Sequence, residues 1–194
     1  MHGTQTIRRG DASGAALLLA LCVAACTPGD SNIVRGKRLA VATISPADQA
    51  HVYEAAARAS FSVDDPSLSL LLDRRMLPRT VGLAPEGEMP PSVATEMRRR
   101  SVIRGTCEPP LTGTVGTARC NASLPGYVVR YSPVFAITPD SVQVYLYAQK
   151  YDTPGAPPSE TLRFERAYQV AKHGSEWTAV REGHVPKELR NEPK

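Results

Sequence analysis

Glu182 and His184 form the plainest acid–base pair in the chain. Two residues apart on an extended segment, they share a face, so the carboxylate can orient the imidazole as in a general base. A surface pair on an edge strand has the same spacing, and the sequence supplies no partnered nucleophile. No serine stands in a Gly-X-Ser-X-Gly turn. His51 falls in a helical segment and His173 in a turn, where solvated roles are the default. Asp64-Asp65 before Pro66 has the chemistry of a turn that accepts backbone hydrogen bonds. Asp73, Glu86 and Glu88 are further carboxylates, which would need the fold to pair them. Gly113-Thr114-Val115-Gly116 is glycine-rich but lacks the Gly-Lys-Ser/Thr ending of a phosphate loop. Tyr145, Tyr147 and Tyr151 alternate along one strand face, with Tyr131 nearby. They either pack under a helix or line a pocket with Glu182 and His184. No catalytic set, metal site or cofactor motif is expected.

The N-terminal segment is more specific. Residues 12–24 are uncharged and apolar, and Arg8 and Arg9 precede them. Thirteen helical residues cover roughly 20 Å, short of the ~30 Å hydrocarbon core. A basic start, a short apolar run and small residues at its end describe a secretory signal, with Asp11 as a departure from the pattern. Gly10 and Asp11 after the arginine pair argue for a simple basic start over a twin-arginine signal. At the end of the run, Val23-Ala24-Ala25-Cys26 resembles the lipobox of bacterial lipoprotein precursors. The resemblance implies cleavage before Cys26 and acylation of its thiol, so that the bilayer becomes a partner of the mature chain. Cys22 does not fit, because Leu21 directly precedes it. Thr27 after the cysteine, rather than Asp, resembles lipoproteins sent to the outer membrane, facing the periplasm.

On that basis residues 1–25 are a removed signal peptide, 26–38 a lipidated N-terminus with a flexible tether, and 39–194 a single domain. A domain of this size buries roughly 70 per cent of its unfolded surface. With Cys22 discarded and Cys26 acylated, Cys107 and Cys120 remain as a pair. Outside the cytoplasm such a pair oxidises to a disulfide, and neither CxxC spacing nor a neighbouring histidine points to redox or metal chemistry. The formal charge of +4, or +3 without Arg8, Arg9 and Asp11, is too mild to call for nucleic acid. The run Arg98-Arg99-Arg100, with Arg104 nearby, suits a solvated helix end. Contact with anionic lipid is its sharper alternative.

The elements that must position these residues follow from local signals. Ser45-Pro46-Ala47-Asp48 supplies an N-cap, a first-turn proline and an acidic third residue. A helix is therefore predicted over about 46–60, with Ala50, Tyr53, Ala56, Ala57 and Phe61 facing inward. Leu68 to Leu72 reads as a short buried strand, 77–91 as loop, and about 91–100 as a second helix. Four β-rich segments follow, at about 127–137, 141–151, 162–172 and 176–185, separated by turn chemistry. Short connections make neighbours antiparallel. The expected fold class is therefore α+β, with an N-terminal helix on a curved antiparallel four-strand meander.

The order of helix, strand and long strands, ending in a hairpin with Lys172, Gly174 and Trp177, resembles small α+β folds of the nuclear-transport-factor and cystatin-like type and uncharacterised secreted bacterial proteins. It carries over no functional residue. The function expected from the sequence is a membrane-anchored envelope lipoprotein acting as a non-enzymatic binding or scaffolding module, with an envelope protein as a possible partner. The alternative is a small-molecule binder or enzyme with a pocket between the first helix and the sheet.

Overall fold

Helix α1 (Pro46–Ser60) begins where the sequence signals place it. Ser45 caps it by accepting a hydrogen bond from the Asp48 amide at 3.0 Å, and Pro46 needs no partner for a missing N–H. The computed structural model describes residues 39–77, 87–108, 120, 123–151 and 162–183. The leader, Cys26, the tether, Glu86, the glycine-rich 113–116 stretch and His184 lie outside them. Strand β1 (Ser69–Leu72) is buried along its whole length. Helix α2 (Pro91–Arg99) ends at Ser101, whose φ of 59° turns the chain out of the helix.

The remaining strands are β2 (Gly105–Thr106), β3 (Gly126–Tyr131), β4 (Phe135–Thr138), β5 (Ser141–Tyr151), β6 (Arg163–His173) and β7 (Glu176–Gly183). With β1 they form one seven-stranded sheet in the order β2-β1-β3-β5-β6-β7, and β4 pairs with β5 beside β3. The chain is thus α+β, but the expected four-strand antiparallel meander is not matched. Strand β1 runs parallel to both β2 and β3, which makes the sheet mixed. The single strand expected over 127–137 is broken into β3 and β4 at Ser132-Pro133-Val134. Proline has no amide hydrogen for a ladder bond, so a central strand cannot run through it.

Two glycines are needed where they stand. A Cβ on Gly126 would sit 1.9 Å from the Ser69 carbonyl oxygen, so only glycine lets β1 approach β3. Gly174, with φ 64°, closes the β6–β7 turn.

Both helices cover one face of the sheet. Ala50, Tyr53, Ala56 and Ala57 of α1 pack with Val142, Val144, Leu146 and Ala148 of β5 and with Tyr168 and Val170 of β6 in the main core. The small alanines allow close approach, and each fully buried large apolar side chain adds about 2 kcal/mol of transfer free energy. Polar links pin this face at its two ends. The Trp177 indole donates to Asp48 Oδ1 at 2.7 Å, and Lys172 Nζ lies 3.2 Å from the same atom. At the other end Ser60 and Tyr168 share a hydroxyl hydrogen bond of 2.6 Å. The Lys172/Gly174/Trp177 hairpin is thereby tied to the first turn of α1.

Candidate functional site

The face of the sheet away from the helices carries a cluster of charged and aromatic side chains. Tyr145, Tyr147 and Tyr151 point to it from β5, opposite the valines and leucine of the main core. In register beside them stand Val128 and Arg130 of β3 and Leu71 of β1, followed by Asp73. The Asp73 amide donates to the Val129 carbonyl at 2.9 Å, extending the β1–β3 pairing by one residue.

The Asp73 carboxylate is 4 % exposed and held by two guanidinium groups. Arg75 donates from Nη2 to Oδ2 at 2.7 Å and from Nε to Oδ1 at 3.0 Å. Arg130 donates from Nη2 to the same Oδ2 at 2.5 Å. Burial alone raises the Asp73 pKa, but the hydrogen bonds from Arg75 and the charge of Arg130 outweigh it and hold it below the ordinary carboxylate value. Arg130 also lies 5.9 Å from the Tyr147 ring centroid, within cation–π range. Tyr147 is half-buried, and burial raises its hydroxyl pKa against the opposing charges of Arg163 and Arg130. Tyr145 is buried, accepts a 2.7 Å hydrogen bond from the Gln143 amide and is pushed by burial up to about 12.

Beside this cluster Cys107 and Cys120 are joined, with their Cα atoms 4.3 Å apart. The bridge packs with Leu71, Val128 and Tyr151 in a small apolar cluster of its own. A cleft lined by Asp73, Arg74, Arg75, Glu88 and Cys107 offers about 20 Å³, enough for one water and too little for a metabolite. Chemically, the arrangement keeps Asp73 ionised and the tyrosines protonated at neutral pH. An ionised carboxylate enclosed by two arginines is a poor proton acceptor, so its capacity is ionic and structural. Among the described residues no group of three His, Cys, Asp or Glu side chains could hold a metal ion.

Of the four residues expected to line one pocket, the three that are described, Tyr145, Tyr147 and Glu182, are not brought together. Tyr145 and Tyr147 share the open face, whereas Glu182 pairs in register with Tyr168 and lies on the helix side, where Arg166 holds it at 2.7 Å. The cause is a β-bulge: β7 shifts register by one residue at Val180, between the Val170–Ala179 and Gln169–Arg181 pairs. One extra residue exchanges the two faces of a strand. Without it, Glu182 would face Tyr145's side. Nor do the two tyrosines border the helix–sheet interface in which a pocket was expected. His184 lies outside the described residues.

Other candidates take structural parts. Asp65 accepts from the Ser67 amide at 2.9 Å and hydroxyl at 2.7 Å, forming the expected turn, and Asp64 pairs with Arg58 at 2.7 Å. Glu88 pairs with Arg74 at 2.9 Å. His51 is half-buried on α1 and His173 is exposed at the end of β6. Of the arginine run, Arg99 binds Glu96 at 2.6 Å, and Arg100 reaches across to the buried Glu54 of α1, which Arg58 also holds. The run therefore clamps α2 to α1 as well as ending a helix. Sequence reasoning missed the Asp73–Arg75–Arg130 cluster. Its signal was Arg130, a cation inside the otherwise apolar and aromatic Tyr127–Tyr131 stretch, which demanded a buried counter-ion.

Comparison with protein-family models, curated proteins and solved structures finds no match to this chain.

Proposed function

We propose that the chain is a bacterial envelope lipoprotein, anchored through acylated Cys26, whose domain is a binding or scaffolding module at the periplasmic side of the outer membrane. The lipobox-like Val23-Ala24-Ala25-Cys26 at the end of a short apolar run supplies the address. The observation that carries the reading furthest is the Cys107–Cys120 bond. These are the two cysteines that signal removal and acylation leave over, and a disulfide persists in an oxidising compartment such as the periplasm. Two or three acyl chains anchor a protein durably, where one gives marginal attachment. The cystatin-like or nuclear-transport-factor-like resemblance belongs to the same proposal. Its support is the tie between the final hairpin and the start of α1 through Trp177 and Asp48.

Metabolic labelling with a palmitate analogue tests the anchor. The wild-type chain takes up label and floats with membranes, and Cys26→Ala loses both. Label retained in Cys26→Ala would overturn the assignment.

A further inference from the structure

We propose that the Cys107–Cys120 bond is a redox-sensitive strap that holds the end of edge strand β2 against β1. Its reduction frees that end while the rest of the sheet stays paired. The strap works independently of the lipid anchor.

Little else secures the end of β2. The strand is two residues long and, among the described strands, pairs with β1 alone at the margin of the sheet. Gly105 brings no side chain, and Thr106 is half-buried, with its hydroxyl 3.5 Å from Arg98 Nη2. The start of the strand is fixed from behind. Val102 and Ile103 are buried in the main core, and the Arg104 amide donates to the Leu70 carbonyl at 2.8 Å. At the other end the Cys107 amide donates to the Leu72 carbonyl at 2.8 Å. Backbone bonds at so short a margin, with no apolar side chain to bury, belong to the part of a fold that opens most easily.

The bridge supplies what the strand lacks. Cys107 directly follows β2, and Cys120 precedes β3 in the chain. Because β1 runs between β2 and β3, the bond links the chain on one side of β1 to the chain on the other. On the open face it packs with Leu71 of β1, Val128 of β3 and Tyr151 of β5. The β1–β3 side has bonds of its own. The Ser69 amide donates to the Pro125 carbonyl at 3.2 Å, and the Asp73 amide to the Val129 carbonyl at 2.9 Å. The Cys107 and Asp73 amides thus report the two opposite edges of β1, one held by the bridge and one not. Reduction by a dithiol delivers two electrons and two protons: the S–S bond breaks, Cys107 and Cys120 become thiols, and the dithiol closes to its own disulfide. Release of Thr106 and Cys107 then uncovers the Leu72 end of β1, a strand of one serine and three leucines with no charge to shield an open edge.

Native-state hydrogen exchange read by NMR tests the strap in the full chain, oxidised and phosphine-reduced. Emission of Trp177, the sole tryptophan, checks that the fold persists. On reduction the exchange rate of the Cys107 amide relative to that of Asp73 is expected to rise about tenfold or more, and to become nearly independent of low urea, as a local opening requires. Cys107→Ser with Cys120→Ser should show the same ratio at position 107 as the reduced parent. Equal acceleration of both amides with the same urea dependence would assign the bridge to the unfolded state alone and overturn the proposal. Loss of native Trp177 emission on reduction would also overturn it, because the remaining sheet must survive.

Discussion

The two faces of the sheet are built on different physics. The helix face is held by area: Val142, Val144, Leu146 and Ala148 meet the alanines of α1, and polar links only pin its ends. The open face has two small apolar clusters, one around the Cys107–Cys120 bridge and one around Phe135 and Tyr145. Between them stands the Asp73–Arg75–Arg130 cluster. Among the described residues no helix covers this second face, so within them it buries less apolar surface and depends more on particular covalent and ionic links. Damage to the first face should therefore scale with volume removed, and damage to the second with the identity of the link.

The largest effect is expected on the helix face. Leu146→Ala removes a fully buried side chain and should cost about 2–5 kcal/mol in urea unfolding. On the open face, Cys107→Ser with Cys120→Ser should cost roughly 3 kcal/mol for a bridge spanning 13 positions, and reduction of the wild type should reproduce the loss. A double mutant as stable as the oxidised parent would erase the proposed contrast.

Asp73→Asn should cost about 2 kcal/mol, because Arg75 and Arg130 lose a shared carboxylate while remaining four-fifths buried. It should also change the pH profile. Asp73 titrates in the fold below its ordinary 3.8, so its contribution is complete above that value and lost as pH falls through the lowered one. Acid unfolding of Asp73→Asn should be shallower than that of the parent, and superimposable curves would exclude the cluster as a stabilising element.

Asp48→Asn should cost about 1 kcal/mol, since it weakens the Trp177 hydrogen bond and removes the Lys172 ion pair, and the emission of Trp177 should report the change. The smallest effect belongs to Glu182→Gln. Its pair with Arg166 is exposed on both sides, and less than about 1 kcal/mol is expected in the same unfolding assay.

Legibility followed the range of the determining interactions. Helix α1 was readable because its capping signal is local, and β5 because Val142 to Gln149 alternate with period two. The break at Pro133 was written in the sequence as a proline within an apolar run. The parallel β1–β2 and β1–β3 pairings were not readable: β2 is two residues long, and Leu71 finds its partners Gly105 and Val128 far along the chain. The Glu182 and Tyr145 grouping failed for a similar reason. Alternation fixes faces within a strand, but the Val180 bulge is decided between β6 and β7 and reverses the face at one step. Likewise Arg130 was visible as a misplaced cation, whereas its partner Asp73 lies 57 residues away and emerged only in the fold.

The central claim concerns the beginning of the working protein, and intact-mass and peptide mass spectrometry of chain purified from envelope fractions tests it most directly. The account predicts a mature N-terminus at Cys26 carrying diacylglyceryl and acyl groups, with residues 1–25 absent and Cys107 and Cys120 joined. A chain that retains Met1 to Ala25, or one that begins at an unmodified Cys26, would contradict it.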